Sequence, residues 1–187
     1  MILASIKPYY YYLIAEEKKK IEVRKTALKN LPQDIAFYMS KDEKSFAKIP
    51  KEFQEKYRKH FGKIGMRVVC DEVEKFHEWE LSPQGKFADF ERERLENFLT
   101  AACLSEEEVV RYRESLPYFK PLYGWHITDL KLYDKPKKLD EFNQSCNYAG
   151  LCFSCDRAKF TSKGDRICRA MITRPPQSYM FVEEVKQ

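Results

Sequence analysis

Apolar positions along the chain fall in short clusters whose period changes from one cluster to the next. Met1 to Ile6 is nearly continuous in apolar residues and reads as a short strand. Pro8 suits the first turn of a helix, which the run Tyr9 to Ala15 continues. Glu16 to Lys20 is a charged loop. Ile21-Glu22-Val23-Arg24 alternates apolar and polar, as a strand with one buried face does. Ile35 to Met39 and Met66 to Val73 predict two more strands. Lys51 to Phe61 predicts a helix, because Phe53, Tyr57 and Phe61 recur every four residues.

The middle of the chain is helical in period. Phe90, Leu95, Phe98 and Leu99 mark a helix within Phe87 to Cys103. Ser105 with Glu108 has the spacing of a capping box and opens another helix, to about Ser115. After Pro117 and Pro121, the stretch Gly124 to Tyr133 returns to a strand pattern. Met171 to Val185 predicts a closing strand pair around Arg174-Pro175-Pro176. Five or six strands joined by irregular helical connections predict an α+β fold built on a small β-barrel rather than a βαβ sheet.

The length of 187 residues fits one domain spanning 1–187. Thirteen Phe, twelve Tyr and two Trp supply a sizeable core, whereas six Gly and no GxGxxG or GxxxxGK[ST] pattern exclude dinucleotide and P-loop chemistry. The net charge of +5 permits a phosphate-binding face without demanding one. Lys7-Pro8 interrupts the opening apolar run before it reaches signal-peptide length, and no run is long enough to span a membrane. These features predict a soluble, cytoplasmic protein.

In a reducing compartment six cysteines point to metal rather than disulfides. Cys146, Cys152, Cys155 and Cys168 form C-x5-C-x2-C-x12-C within 140–170, a stretch poor in aliphatic residues. Four thiolates suit a closed tetrahedral site, so structural Zn2+ is the expected ligand; an iron–sulfur cluster or free thiols are the alternatives. Cys70 and Cys103 read as buried small apolar residues.

The opening segment carries the candidate chemistry. Glu22 and Arg24 share a strand face, because side chains two apart point the same way. Lys19, in the preceding loop, can reach that face. By pattern alone this is an ordinary strand with a charged outer side.

Ser5-Ile6-Lys7-Pro8 followed by Lys19-Lys20-Ile21-Glu22-Val23-Arg24 resembles the ASCH domain family, a branch of the PUA-like superfamily. The family pattern pairs a SIKP-like strand end with G-x-K-x-x-E-x-R. Lys19, Glu22 and Arg24 fall on its K, E and R, and Glu17 stands where it has glycine. The stretches Tyr123 to Lys131 and Arg174 to Tyr179 are also similar to ASCH proteins of the phage and prophage kind. The resemblance skips about 77–118, which reads as a helical insertion.

What the resemblance implies is a PUA-like barrel with a cleft near this strand, to which the cysteine spacing adds a zinc-stabilised C-terminal lobe. The resemblance further implies that the cleft binds RNA or other nucleic acid, through Lys7, Lys19, Glu22, Arg24, Trp125 and His126. Cations would meet phosphates, and Tyr9 to Tyr12 or Trp125 would stack on an unpaired base. The alternative is an enzyme on RNA or a modified nucleoside, with Lys19 and Glu22 as the catalytic pair. Some relatives are amidohydrolases with a Thr three residues after the Lys. This chain has Glu22 there, a poor substitute for a hydroxyl nucleophile, so binding is the expected function. A third reading is a protein-interaction adaptor that uses Phe90, Leu95 and Phe98 of the insertion.

Overall fold

The computed structural model describes residues 1–76, 89–114, 121–144, 159–160, 166–167, 170 and 172–184. The first half runs β1 (Ile2–Ile6), α1 (Pro8–Ala15), β2 (Ile21–Arg24), β3 (Gln33–Met39), α2 (Glu43–Phe46), α3 (Lys51–Arg58) and β4 (Ile64–Phe76). The second half adds α4 (Asp89–Ala102), α5 (Glu106–Glu114), β5 (Leu122–Lys137) and β6 (Phe142–Gln144). The short strands β7 (Lys159–Phe160) and β8 (Arg166–Ile167) pair with each other, and β9 (Tyr179–Glu184) ends the described chain.

Seven strands form one mixed sheet in the order β2-β5-β4-β3-β1-β9-β6. β1 and β3 run parallel, and the remaining neighbours are antiparallel. The centre is buried on both faces, which is why β1 reads as a continuous apolar run. Ile2, Ala4 and Ile6 pack with Tyr11, Tyr12 and Ile14 of α1, while Leu3 packs with Ala36, Ile64 and Phe142 on the other side. Helix α1 is apolar nearly all round because it lies in the core. A third cluster joins Leu95 and Phe98 of α4 to Ile21 and Val23 of β2 and to Phe76 and Leu122. Gly124 permits that close approach: a Cβ there would stand 2.6 Å from Phe98 Cε2.

The α+β class is as expected, but the sheet is not a closed barrel. Among the described residues its edge strands β2 and β6 share no ladder. They are four and three residues long and pair only with β5 and β9 respectively. The curvature is nevertheless strong. The pairing of β4 with β5 shifts register three times, at Ile64/Met66, Arg67/Val69 and Cys70/Val73, and each irregularity bends the ribbon. The bend brings the end of β2 beside β1, where a side chain bridges the gap: Arg24 Nη2 donates to Ser5 O at 2.6 Å.

Several boundaries move. β4 is longer than the predicted Met66 to Val73, and α3 stops at Arg58, with turn bonds continuing to Phe61. The predicted closing pair is, among the described residues, the single strand β9 between β1 and β6. Within 77–118, α4 and α5 are the expected helices. The capping box is present, with Glu108 N donating to Ser105 Oγ and Ser105 N to Glu108 Oε2. Leu95 and Phe98 are buried, so they are not the exposed face an adaptor would use. Cys146, Cys152, Cys155 and Cys168 lie outside the described residues, as does most of the expected zinc lobe. No described helix is long and apolar enough to cross a membrane.

The turn after α1 shows why Glu17 can replace a glycine. Its φ is +56°, in the left-handed region that ends many helices, and the following amides of Lys18 and Lys19 both donate to Leu13 O. The backbone keeps the glycine geometry and carries a Cβ strain of about 1 kcal/mol. Glu17→Gly is therefore expected to stabilise the fold by about 0.5–1 kcal/mol, less the exposed Glu17–Lys20 ion pair. A lower midpoint in urea unfolding would contradict this.

Candidate nucleic-acid cleft

Helix α1 and the turn at Glu17 deliver Lys19 to the start of β2, and the period of β2 fixes the rest. Ile21 and Val23 face α4. Glu22 and Arg24 face the other way, and all three charged residues are buried, at 2%, 7% and 7% exposure for Lys19, Glu22 and Arg24. Glu22 lies between the cations. Its Oε2 is 3.5 Å from Lys19 Nζ, and its Oε1 is 3.0 Å from Arg24 Nε. The second contact is an ion contact without hydrogen-bond alignment.

Each cation also reaches a distant segment. Lys19 Nζ donates to Ala102 O at 2.6 Å and lies 5.2 Å from the Tyr10 ring centre. Ala102 ends α4, where carbonyls lack helical partners and the dipole favours a cation. Arg24 donates to Ser5 O, makes a longer 3.5 Å contact with Ser178 O, and lies over the Trp125 ring. Burial pushes the Lys19 ammonium below its usual lysine value; the Glu22 carboxylate opposes that shift and Arg24 adds to it. Tyr10 is pushed up to about 12, by burial first and then by the Glu108 and Glu22 carboxylates.

Above this cluster opens a cavity of about 620 Å³. Its floor holds Lys19, Glu22, Arg24 and Tyr10, with Ser5 and Ser40 at the strand ends. One side of the opening carries Lys7 and Lys48. The other is α5, which presents Leu104 just before it and then Glu108, Arg111 and Tyr112. Lys7, Lys48 and Arg111 are exposed and make no ion pair with any described residue.

The structure thus brings Lys7, Lys19, Glu22 and Arg24 together. It places the other two predicted residues elsewhere. Trp125 is fully buried behind the cleft, its Nε1 donating to Thr26 O and its ring set edge-on to Tyr179. His126 faces the opposite side of the sheet. It pairs with Ile21, approaches Glu74 at 3.5 Å, and lines a separate cavity of about 410 Å³ with Arg94 and Phe98. Adjacent strand residues must point to opposite faces, so Trp125 and His126 cannot share one cleft. The sequence marks Glu108 only as a helix cap, and does not mark Lys48, Arg111 or Tyr112. A signal existed for α5: Arg111 and Tyr112 stand three and four residues after Glu108, along one helix face.

The sequence matches no protein-family model and no curated protein. Solved structures do share the fold. The crystal structure of ASCH from Zymomonas mobilis superimposes with a TM-score of 0.53 at 16% identity, over 97% of this chain and 87% of that chain. A serine-to-alanine variant of the same protein gives 0.52 at 14% identity, with the same coverage. The chain therefore has the fold of an ASCH protein, in agreement with the resemblance read from its opening segment.

Proposed function

We propose that this chain binds nucleic acid, RNA foremost, as a single-stranded segment lodged in the cleft above Lys19, Glu22 and Arg24. The observation that carries the reading is the cavity itself. Exposed Lys7, Lys48 and Arg111 line the same pocket as Tyr10 and Tyr112. A volume of about 620 Å³ encloses a small-molecule-sized group, so a nucleotide fits where a duplex does not. Rim cations suit phosphates, and tyrosines suit a splayed base. The ASCH fold supports the same reading.

Binding is tested by anisotropy of a labelled mixed-sequence single-stranded RNA, titrated at several salt concentrations. Three phosphate contacts give a slope of log K against log salt of about −2. Binding that is absent or indifferent to salt would remove the proposal. An enzymatic reading has one arrangement in its favour: Lys19 stands beside a carboxylate, and burial lowers its basicity, the direction a general base requires. Product analysis of the same mixtures distinguishes the two, because turnover lost in Lys19→Ala would favour the enzyme.

A further inference from the structure

We propose that Lys19, Glu22 and Arg24 are an internal strut that holds the wall of the cleft, and that the ligand's phosphates are taken by Lys7, Lys48 and Arg111. The proposal rests on the nucleic-acid reading above and divides its residues into two roles. An ammonium has three protons to donate. Those of Lys19 are directed at Ala102 O, at Glu22 Oε2 and toward the face of Tyr10. The Arg24 guanidinium donates to Ser5 O and, at 3.5 Å, to Ser178 O; it also makes the unaligned ion contact with Glu22 and lies over the Trp125 ring. Lys19 therefore has no donor left for a phosphate unless an internal bond is broken, which orphans a buried partner at a cost. Arg24 keeps spare N–H groups, its Nε–H among them, but at 7% exposure it is anchored to the backbone of two distant segments.

The contacts made by this cluster are structural in direction. Through Ala102 it grips the end of α4, through Ser5 the end of β1, and through Ser178 the approach to β9. The turn from α4 to α5 is fastened at the same point by Lys20 N donating to Ala101 O at 2.7 Å and by Cys103 Sγ directed at Lys18 O. Whatever holds Ala102 therefore sets where α5 stands, and α5 carries Glu108, Arg111 and Tyr112 into the cavity. The rim cations come from three separate segments: the β1–α1 junction, the stretch after α2, and α5. They are exposed and make no ion pair among the described residues, as phosphate ligands must be before they bind.

The test compares Lys48→Gln/Arg111→Gln with Lys19→Met on the labelled single-stranded RNA, at a temperature where all proteins are folded. Amide hydrogen exchange is followed in parallel. The rim variant is expected to lower the salt slope by about 1.4, twice the single-strand value per phosphate. Lys19→Met is expected to keep the wild-type slope while affinity falls severalfold. Exchange of the Lys20 amide and of α4–α5 should accelerate, with β3 still protected. A purely global loss of stability would move neither affinity in folded protein nor exchange in one region alone. A slope reduced by about 0.7 in Lys19→Met, with Lys20 still protected, would make Lys19 a phosphate ligand and overturn the proposal. So would an unchanged slope in the rim variant. If Lys19→Met does not fold, Glu22→Gln, which keeps the shape and removes the charge, must loosen the same amides at unchanged slope. Should wild type show no salt-dependent binding, the functional reading fails, while the exchange data still decide the strut by themselves.

Discussion

Glu22→Ala is expected to destabilise the protein by about 3–5 kcal/mol, because it removes the anion from between two buried cations. The Lys19 and Arg24 side chains are only 1% and 8% exposed, so water is a poor replacement for the lost carboxylate. The Lys19 ammonium is already disfavoured by burial, and Glu22 is the first of the groups that oppose this. Without it, Lys19 must give up its proton or leave its site, and either loosens Ala102. For a chain of this size the loss corresponds to a fall in Tm of roughly 10 °C. Urea unfolding at constant m-value measures it directly. Glu22→Gln should lose less, since a shape-matched amide still accepts a hydrogen bond. A loss below about 1 kcal/mol for Glu22→Ala would be the value of an exposed ion pair and would mean that water reaches the cluster.

Trp125→Ala is expected to cost a comparable amount, about 3–5 kcal/mol, for a different reason. The indole is fully buried where β5 lies between β2 and β4, opposite Glu22 on one side and Val73 on the other. Its removal leaves a large cavity beside Tyr179 and withdraws the surface on which the Arg24 guanidinium rests. It also leaves Thr26 O without the indole donor. Trp125→Phe keeps most of the volume and should lose about 1–2 kcal/mol, chiefly through the hydrogen bond. Neither substitution should change the salt slope of nucleic-acid binding, because Trp125 does not line the cavity. A ligand that quenches the fluorescence of Trp125 by direct stacking would contradict this placement.

Much of the local framework was legible in the sequence because it depends on neighbours. The strand at Ile21–Arg24, the helix opened by Pro8 and the Ser105–Glu108 cap all follow from periods and end signals within a few residues. The charged face shared by Glu22 and Arg24 follows from the same two-residue alternation. So does the separation of His126 from Trp125 onto opposite faces of β5.

By itself, then, the sequence determined that the chain is α+β, that Lys19, Glu22 and Arg24 belong together, and that the opening segment resembles an ASCH motif. The tertiary structure decided what those charges do. Ala102 and Ser178 meet the cluster from 83 and 154 residues away, and no local pattern records a backbone carbonyl as a partner. It also decided that the sheet curves without closing, because register shifts in β4 and β5 depend on how two distant strands settle against each other. Finally, it decided which cations face the opening. Lys48 and Arg111 look like any solvated surface charge in sequence, and only the packing of α4 on β2 places α5 across from Lys7.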